Sequence, residues 1–181
     1  MRVISGRAKG AGLFSPKGGS IRPTTDYVKE SLFNLIGLDV RGANFLDLFC
    51  GSGAVGIEAL SRGAADVTFI DISQKSMDLT RRNLEKTRLA DGATLVKGEL
   101  PATLKKLAGQ QFDIIFLDPP YYRDFVDATL VAIATQDLAA NGGQIIIEIS
   151  EIDNITPPPK FEIFKERAYS STKLIFMEAS Q

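Results

Sequence analysis

Short apolar runs alternate with helix-forming segments along most of this chain, and that alternation constrains the fold more than any other feature. The first four runs end near residues 48, 71, 97 and 117, which are 20 to 26 residues apart. That spacing suits a strand plus one crossover helix, so the pattern predicts a doubly wound α/β domain. The predicted strands are 44–49, 67–72, 94–97, 112–117 and 144–149, and the predicted helices are 24–37, 55–62, 74–88, 100–108 and 125–138.

The end of the chain breaks this alternation. Residues 157–159 are three consecutive prolines, which predict a stiff linker and not a helix. Two strand-like runs follow at 161–168 and 172–177, and a connection this short requires antiparallel pairing. The predicted fold is therefore a mostly parallel seven-stranded sheet with an antiparallel C-terminal hairpin and a short N-terminal arm.

The composition excludes several kinds of protein. A length of 181 residues without a long apolar run or a signal-peptide core predicts one cytoplasmic domain with no membrane contact. Histidine is absent, which excludes Ser-His and Cys-His nucleophile pairs and histidine-ligated metals. Cys50 is the one cysteine, so no intrachain disulfide can form, and its apolar neighbours predict a buried side chain.

The charge of the chain is distributed unevenly. The net charge is −1, but residues 1–22 carry +5 and contain no acid, which leaves −6 for the remainder. A basic arm on a mildly acidic body favours a surface that binds a polyanion, and a solvated basic tail is the alternative. The cations of the arm are Arg2, Arg7, Lys9, Lys17 and Arg22.

The residues after the fourth predicted strand read Asp118-Pro119-Pro120-Tyr121. The prolines end the strand, remove backbone donors and keep the residues before them extended. This loop presents a carboxylate, carbonyl oxygens and an aromatic face at a strand's carboxyl end, where ligands bind in open α/β sheets. A group rich in acceptors and poor in donors suits an exocyclic amine. The alternative is a stiff turn in which Tyr121 only packs.

A glycine-rich loop follows the first predicted strand. Gly51, Gly53 and Gly56 fit the pattern G-x-G-x-x-G, and Asp71 ends the second strand 20 residues after Gly51. The glycines permit a tight turn and a close approach of the backbone, and Asp71 can hold ribose hydroxyls. The pattern alone is compatible with a nicotinamide-dependent dehydrogenase, or with a turn that only packs a helix on a strand.

Asp47, at the end of the first strand, favours a different ligand. Its carboxylate would repel a bound pyrophosphate but suits a ligand with a positive end. S-adenosylmethionine has an ammonium group, a sulfonium centre and a ribose, and it has no phosphate. We therefore predict that this methyl donor lies over the glycine loop with its ribose on Asp71. Glu99 can meet the adenine amine, although an acid that opens a helix is equally explained by the helix dipole.

Together these residues resemble a class I S-adenosylmethionine-dependent methyltransferase of the exocyclic-amine type, whose signature is (Asp/Asn/Ser)-Pro-Pro-(Tyr/Phe/Trp). The flanking segments resemble the RsmD family, and the resemblance covers nearly the whole chain. The segments that carry it are Arg22-Pro23-Thr24-Thr25-Asp26, Glu30-Ser31-Leu32-Phe33-Asn34, Asp47-Leu48-Phe49-Cys50-Gly51-Ser52-Gly53 with Gly56, Glu58-Ala59-Leu60-Ser61-Arg62-Gly63-Ala64 and Phe116-Leu117-Asp118-Pro119-Pro120-Tyr121.

The resemblance implies a Rossmann-like fold and methylation of N2 of a guanine in small-subunit (16S) ribosomal RNA. S-adenosylmethionine would be converted to S-adenosylhomocysteine, with no metal. The partner would be ribosomal RNA or a small-subunit assembly particle, and the enzyme a monomer. The chain would divide into a basic arm or hairpin, 1–22, and a methyltransferase domain, 23–181.

The resemblance and the residue chemistry together predict three groups of site residues. The catalytic group is Asp118, Pro119, Pro120 and Tyr121, with Tyr121 stacked on a base that has left its helix. The cofactor-binding group is Asp47, Phe49, Gly51, Ser52, Gly53, Asp71, Ile72 and Glu99. The RNA-binding group is Arg2, Arg7, Lys9, Lys17 and Arg22.

Two other functions are compatible with the same sequence. The first is amine methylation of another substrate, such as a DNA adenine or a protein amide. The second is a non-catalytic RNA-binding relative that keeps the fold. A chain of 181 residues has no room for a separate target-recognition domain, which disfavours DNA. The intact residues 118–121 and the intact glycine loop disfavour a loss of catalysis.

Overall fold

The computed structural model describes residues 1–15, 26–119 and 123–180 of the chain. They form two compact units, Met1–Lys97 and Gly98–Gln181. Within the described residues, no helix is both long enough and apolar enough to span a bilayer.

The first unit is built on three parallel strands, with β2 between β1 and β3. Its strands are β1 (Asn44–Leu48), β2 (Asp66–Asp71) and β3 (Ala93–Lys97), its α-helices are α1 (Asp26–Ile36), α2 (Ala54–Arg62) and α3 (Gln74–Thr87), and 3-10 helices cover Gly37–Val40 and Ala90–Gly92. Strands β1 and β2 form because their short apolar runs are buried on both faces of the sheet, whereas β3, at the edge, is only partly buried. Helix α2 packs closely on β2, since a Cβ on Gly56 would lie 2.3 Å from the Phe69 ring.

The second unit joins a parallel pair to an antiparallel hairpin. Its strands are β4 (Phe112–Leu117), β5 (Ala139–Ser150), β6 (Phe161–Tyr169) and β7 (Thr172–Ala179), with α4 at Arg123–Thr135 and a 3-10 helix at Ala102–Leu107. β4 pairs parallel with β5, and β7 pairs antiparallel with both β5 and β6. Ser170, in the hairpin turn, has a φ of +36°. It thus adopts the left-handed region that usually favours glycine.

The strand order across the sheet is β3-β2-β1-β4-β5-β7-β6, which confirms the mostly parallel seven-stranded fold and its antiparallel end. Three predicted elements differ from the structure in type or by more than two residues. The helix expected at 100–108 is a shorter 3-10 helix, with bonds such as Leu104 N to Pro101 O at 3.0 Å. Helix α4 ends at Thr135, before the left-handed Asp137. β5 begins at Ala139, because that residue already pairs with Phe112 across a register shift.

The N-terminal arm is a compact hairpin-like loop held against α2. An isolated antiparallel bridge joins Arg2 to Gly12, and Val3 N donates to Ala11 O at 2.9 Å. Val3 and Leu13 are buried, so the arm contributes apolar side chains to the first unit. Within the arm or hairpin expected at 1–22, the described residues 1–15 form a hairpin-like loop that hydrogen bonds dock against α2.

Glu58 is the anchor for this docking. Its carboxylate is fully buried and accepts from Ile4 N at 2.8 Å and Ser5 N at 3.0 Å. It also pairs with Lys29 Nζ at 3.3 Å and Arg62 Nε at 2.8 Å. Burial lowers the pKa of Lys29, although the neighbouring Glu58 carboxylate opposes that shift. Lys29 Nζ also donates to Arg2 O at 2.6 Å. One carboxylate thus joins the arm to two helices.

We predict that Glu58→Ala lowers the free energy of unfolding by about 3–5 kcal/mol, because it removes the counter-ion of the buried Lys29 ammonium and leaves two backbone N–H groups without their acceptor. Urea denaturation measures this change. The matched control is Asp78→Ala, which removes an exposed helix pair with Arg81 (3.0 Å) and should cost less than about 1 kcal/mol. Equal effects of the two substitutions would mean that Glu58 does not anchor the arm.

Candidate active site

The loop after β1 forms a tight turn made of left-handed residues. Phe49, Gly51 and Gly53 have φ values of 59°, 55° and 74°. Gly53 N donates to Cys50 O at 2.7 Å, which closes the turn directly before α2. A Cβ on Gly51 would meet only Phe49 O, at 3.9 Å, so the loop backbone is open at that point. A ligand can therefore approach the backbone here without a side chain in the way.

Asp71, the last residue of β2, holds this loop. Its Oδ2 accepts from Gly51 N at 2.9 Å and its Oδ1 accepts from Ser73 N at 2.7 Å. A carboxylate has about four lone-pair positions, so Asp71 keeps acceptor capacity for a ligand hydroxyl. The next residue, Ile72, is 61% exposed. An acceptor followed by an exposed apolar side chain suits a ribose joined to a base.

Asp47 lies beneath the loop and caps helix α2. Its side chain is 2% exposed, and its Oδ2 accepts from Gly56 N, in the first turn of α2, at 2.9 Å. The pKa of Asp47 is raised to about 7, chiefly by burial; the hydrogen bond from Gly56 N opposes this rise, and the nearby charge of Asp71 adds to it. A carboxylate therefore occupies a helix N-terminus at which a dinucleotide-binding site would place its pyrophosphate. This geometry disfavours a nicotinamide cofactor.

Two residues of α3, Thr80 and Asn83, hold the other side of the loop and were missed by sequence reasoning. Thr80 Oγ1 donates to Gly51 O at 3.1 Å, and Asn83 Nδ2 donates to Ser52 O at 2.9 Å. A Cβ on Gly53 would lie 2.7 Å from Thr80 Cγ2, so that glycine is required by packing. Both side chains are fully buried. Polar residues three apart on the inward face of an amphipathic helix are the signal that could have identified them.

Cys50 is a structural residue of the loop, as its apolar neighbours predict. Its side chain is buried, and burial, followed by the charges of Asp47 and Asp71, raises the pKa of the thiol well above its usual value. A thiol that resists ionisation is a poor nucleophile.

In the second unit, Asp118 and Pro119 follow directly on β4, a strand whose residues 114–117 are fully buried and paired with β5. Asp118 is half-buried and Pro119 is buried. Pro120 and Tyr121 lie outside the described residues. Glu99 is exposed, and its carbonyl accepts from Thr103 N at 2.9 Å and Thr103 Oγ1 at 2.7 Å. The Glu99 carbonyl thus holds the start of the 3-10 helix, and its side chain is available to a ligand.

Three of the five predicted RNA-binding cations are described, and all three are exposed: Arg2, Arg7 and Lys9. The backbone of Arg7 is held against α2, since Arg7 N donates to Ser61 O at 2.8 Å. Lys17 and Arg22 lie outside the described residues. The exposed cations therefore project from a docked arm and not from a loose tail.

The residues of the first unit fit S-adenosylmethionine. Asp71 offers acceptors for ribose hydroxyls, Ile72 offers an apolar surface for a base, and the buried carboxyl of Asp47 favours a cationic ligand. Among the described residues, no cluster of three acidic or cysteine side chains could hold a metal ion.

The raised pKa of Asp47 makes folding pH-dependent. The unfolded chain releases this proton near pH 3.8, whereas the folded protein keeps it up to about pH 7, so the carboxyl increasingly destabilises the fold across that window. Asn cannot ionise. We therefore predict that the unfolding free energy of Asp47→Asn, relative to wild type, rises by about 2–3 kcal/mol between pH 5 and pH 8. Urea denaturation at both pH values tests this, and a constant difference would contradict it.

Comparison with known proteins agrees with this geometry. The family model described as Conserved hypothetical protein 95 matches residues 1–178. Ribosomal RNA small subunit methyltransferase D of Escherichia coli K12 is 34% identical over 169 residues, covering 92% of this chain and 84% of that protein. YlbH of Bacillus subtilis, named as a candidate rRNA methyltransferase, is 42% identical over 150 residues, 82% of each chain.

A solved structure supports the same grouping. The candidate methyltransferase yhhF of Escherichia coli matches with a TM-score of 0.89 and 31% identity, covering 99% of this chain and 98% of that chain. The match extends through the N-terminal arm and the C-terminal hairpin. The chain therefore belongs to the RsmD-like family, whose model is described as Conserved hypothetical protein 95.

Proposed function

We propose that this protein transfers a methyl group from S-adenosylmethionine to the exocyclic N2 amine of a guanine in small-subunit (16S) ribosomal RNA. The observation that carries the proposal is the position of Asp118 and Pro119. They directly follow a parallel strand whose last four residues are buried, and they precede Pro120 and Tyr121 in the sequence. The relatives named ribosomal RNA small subunit methyltransferase D support the class of substrate.

The first unit supplies the residues for the methyl donor. When bound, S-adenosylmethionine provides an electrophilic methyl group on a positively charged sulfur. Asp71 would accept from the ribose hydroxyls, and Ile72 would cover one face of the adenine. The open backbone at Gly51 allows close approach, and Asp47 would attract the positive end of the ligand. Phe49, Ser52, Gly53 and Glu99 complete the proposed cofactor-binding set.

Asp118 and Pro119 would act on the acceptor amine. The lone pair of a guanine amine is delocalised into the ring, so this nitrogen is a poor nucleophile. The Asp118 carboxylate and the Pro119 carbonyl can accept its two hydrogens, which favours a pyramidal nitrogen with an available lone pair. Tyr121 would stack on the extruded base. Holding the acceptor nitrogen in line with the methyl group would supply much of the rate by orientation alone.

The arm would contribute affinity for RNA. Arg2, Arg7 and Lys9 are exposed on a segment that Glu58 holds in place. Contacts of this kind go to phosphates and position the substrate without reading its sequence. We expect the enzyme to act as a monomer on ribosomal RNA or on a small-subunit assembly particle.

We predict that the protein binds S-adenosylmethionine and not NAD, and that Asp71→Ala weakens this binding by about 1–3 kcal/mol. The reason is that ligand hydroxyls lose their acceptor and the loop loses the bond to Gly51 N. Isothermal titration calorimetry with both ligands measures the effect. Asp66→Ala, at the opposite end of the same strand, is the control and should leave the affinity unchanged. NAD binding tighter than S-adenosylmethionine binding would refute the assignment.

We predict that Asp118→Ala abolishes methyl transfer to ribosomal RNA while the affinity for S-adenosylmethionine stays near that of wild type. We expect the rate to fall while the affinity stays unchanged because Asp118 is assigned to the acceptor amine and not to the methyl donor. Transfer of labelled methyl groups measures the rate, and Asp113→Asn, an exposed position on the same strand, is the control. Activity of Asp118→Ala within about tenfold of wild type would show that Asp118 does not align the nucleophile.

A further inference from the structure

A cluster of two cations on one aromatic ring lies where the arm meets α3. The Arg82 guanidinium is 4.5 Å from the centroid of the Phe14 ring, and the Lys86 ammonium is 4.3 Å from it. Both cations are exposed, and the ring itself is 38% exposed. We call Phe14, Arg82 and Lys86 the Phe14 cluster.

The backbone holds Phe14 in place independently of these cations. Phe14 N donates to Asn83 Oδ1 at 2.7 Å, and Asn83 Nδ2 donates to Phe14 O at 3.1 Å. The side-chain amide of the buried Asn83 therefore hydrogen-bonds to both the N–H and the C=O of Phe14, as the backbone of a neighbouring strand would. Because Glu58 anchors the other end, the arm does not need Arg82 or Lys86 for docking.

The charges of the cluster are not neutralised within the described residues. Neither Arg82 nor Lys86 has an ion-pair partner there, whereas neighbouring Arg81 pairs with Asp78 at 3.0 Å. Like charges four residues apart on a helix repel each other, and each also interacts favourably with the ring. The result is a preorganised, doubly positive surface with an exposed aromatic component on a chain of net charge −1.

The cluster is also connected to the glycine loop. Asn83, which clamps Phe14, uses the same amide nitrogen to donate to Ser52 O at 2.9 Å. One side chain therefore fixes both the Phe14 backbone and a residue of the proposed methyl-donor loop. A polyanion bound at the cluster is consequently held at a defined position relative to that loop.

We propose that the Phe14 cluster is a docking site for the phosphate backbone of the substrate RNA, additional to the cations of the arm. Two phosphates would pair with Arg82 and Lys86, whose charges lack protein partners, and the exposed part of the Phe14 ring would contact a sugar or a base. The inference rests on the proposed RNA substrate and adds a binding surface on α3 to it.

Three variants test this site against RNA from the small subunit. Arg82→Gln/Lys86→Gln should weaken RNA binding roughly twentyfold at 0.1 M salt. The negative slope of log affinity against log salt should become shallower by about 1.4, two contacts at about 0.7 each. Phe14→Leu should weaken binding about threefold with an unchanged slope, because both charges remain. Arg81→Gln is the matched control, because its charge is already paired, and should change neither quantity.

Fluorescence anisotropy across a salt series gives affinity and slope, and calorimetry with S-adenosylmethionine shows that each variant keeps its methyl-donor site. An unchanged slope in the double variant, or an equal change in Arg81→Gln, would overturn the docking site. Methyl transfer by wild type is measured in parallel. If wild type transfers methyl groups but the slope of the double variant is unchanged, the proposed function stands and the docking site is refuted. If the slope changes but wild type transfers no methyl group, the docking site stands and the methylation is refuted.

Discussion

The backbone of residues 51–56 is held by four side chains from three elements, and the rest of the candidate site depends on that constraint. Asp71 and Asp47 accept from Gly51 N and Gly56 N, while Thr80 and Asn83 donate to the carbonyls of Gly51 and Ser52. Buried backbone groups require such partners, and here each partner also fixes a strand end or a helix face. The loop is thus preorganised for a ligand before any ligand arrives.

The same constraint explains why a glycine pattern shared with dinucleotide-binding proteins favours a different cofactor here. In this loop a carboxyl group, Asp47, takes the N–H of Gly56 in the first turn of α2. Its burial keeps the pKa near neutrality, so the approach of a positive ligand would favour the ionised form. A ligand that carries a cation and no phosphate is the chemical complement of this arrangement.

The architecture and the loop that carries the site could be predicted from the sequence because both depend on local signals. The pattern of apolar residues, the spacing of the apolar runs and the turn residues predicted all seven strands. The glycines together with Asp71 identified the loop. The boundaries of β5 and α4 depended on long-range pairing with Phe112 and on a left-handed Asp137, which local pattern does not contain.

The partners that secure the site were beyond sequence reasoning for the same reason. Glu58 contacts residues 53 and 54 positions away, and Asn83 contacts Phe14 from 69 positions away. Nothing local distinguishes Glu58 from a solvated helix residue. The helical pattern can place Asn83 on the inward face of α3, but it does not contain the backbone groups that its amide reaches. These two side chains convert the predicted basic arm into a fixed part of the first unit and give its cations a defined position.

The identity of the methylated nucleoside is the most direct test of the proposed function. Ribosomal RNA that has been incubated with the protein and isotopically labelled S-adenosylmethionine is digested to nucleosides and separated by mass spectrometry. We predict label in N2-methylguanosine from the small-subunit RNA, and none when Asp118 is replaced by Ala. Label in a methylated adenosine, or label that persists in Asp118→Ala, would contradict it.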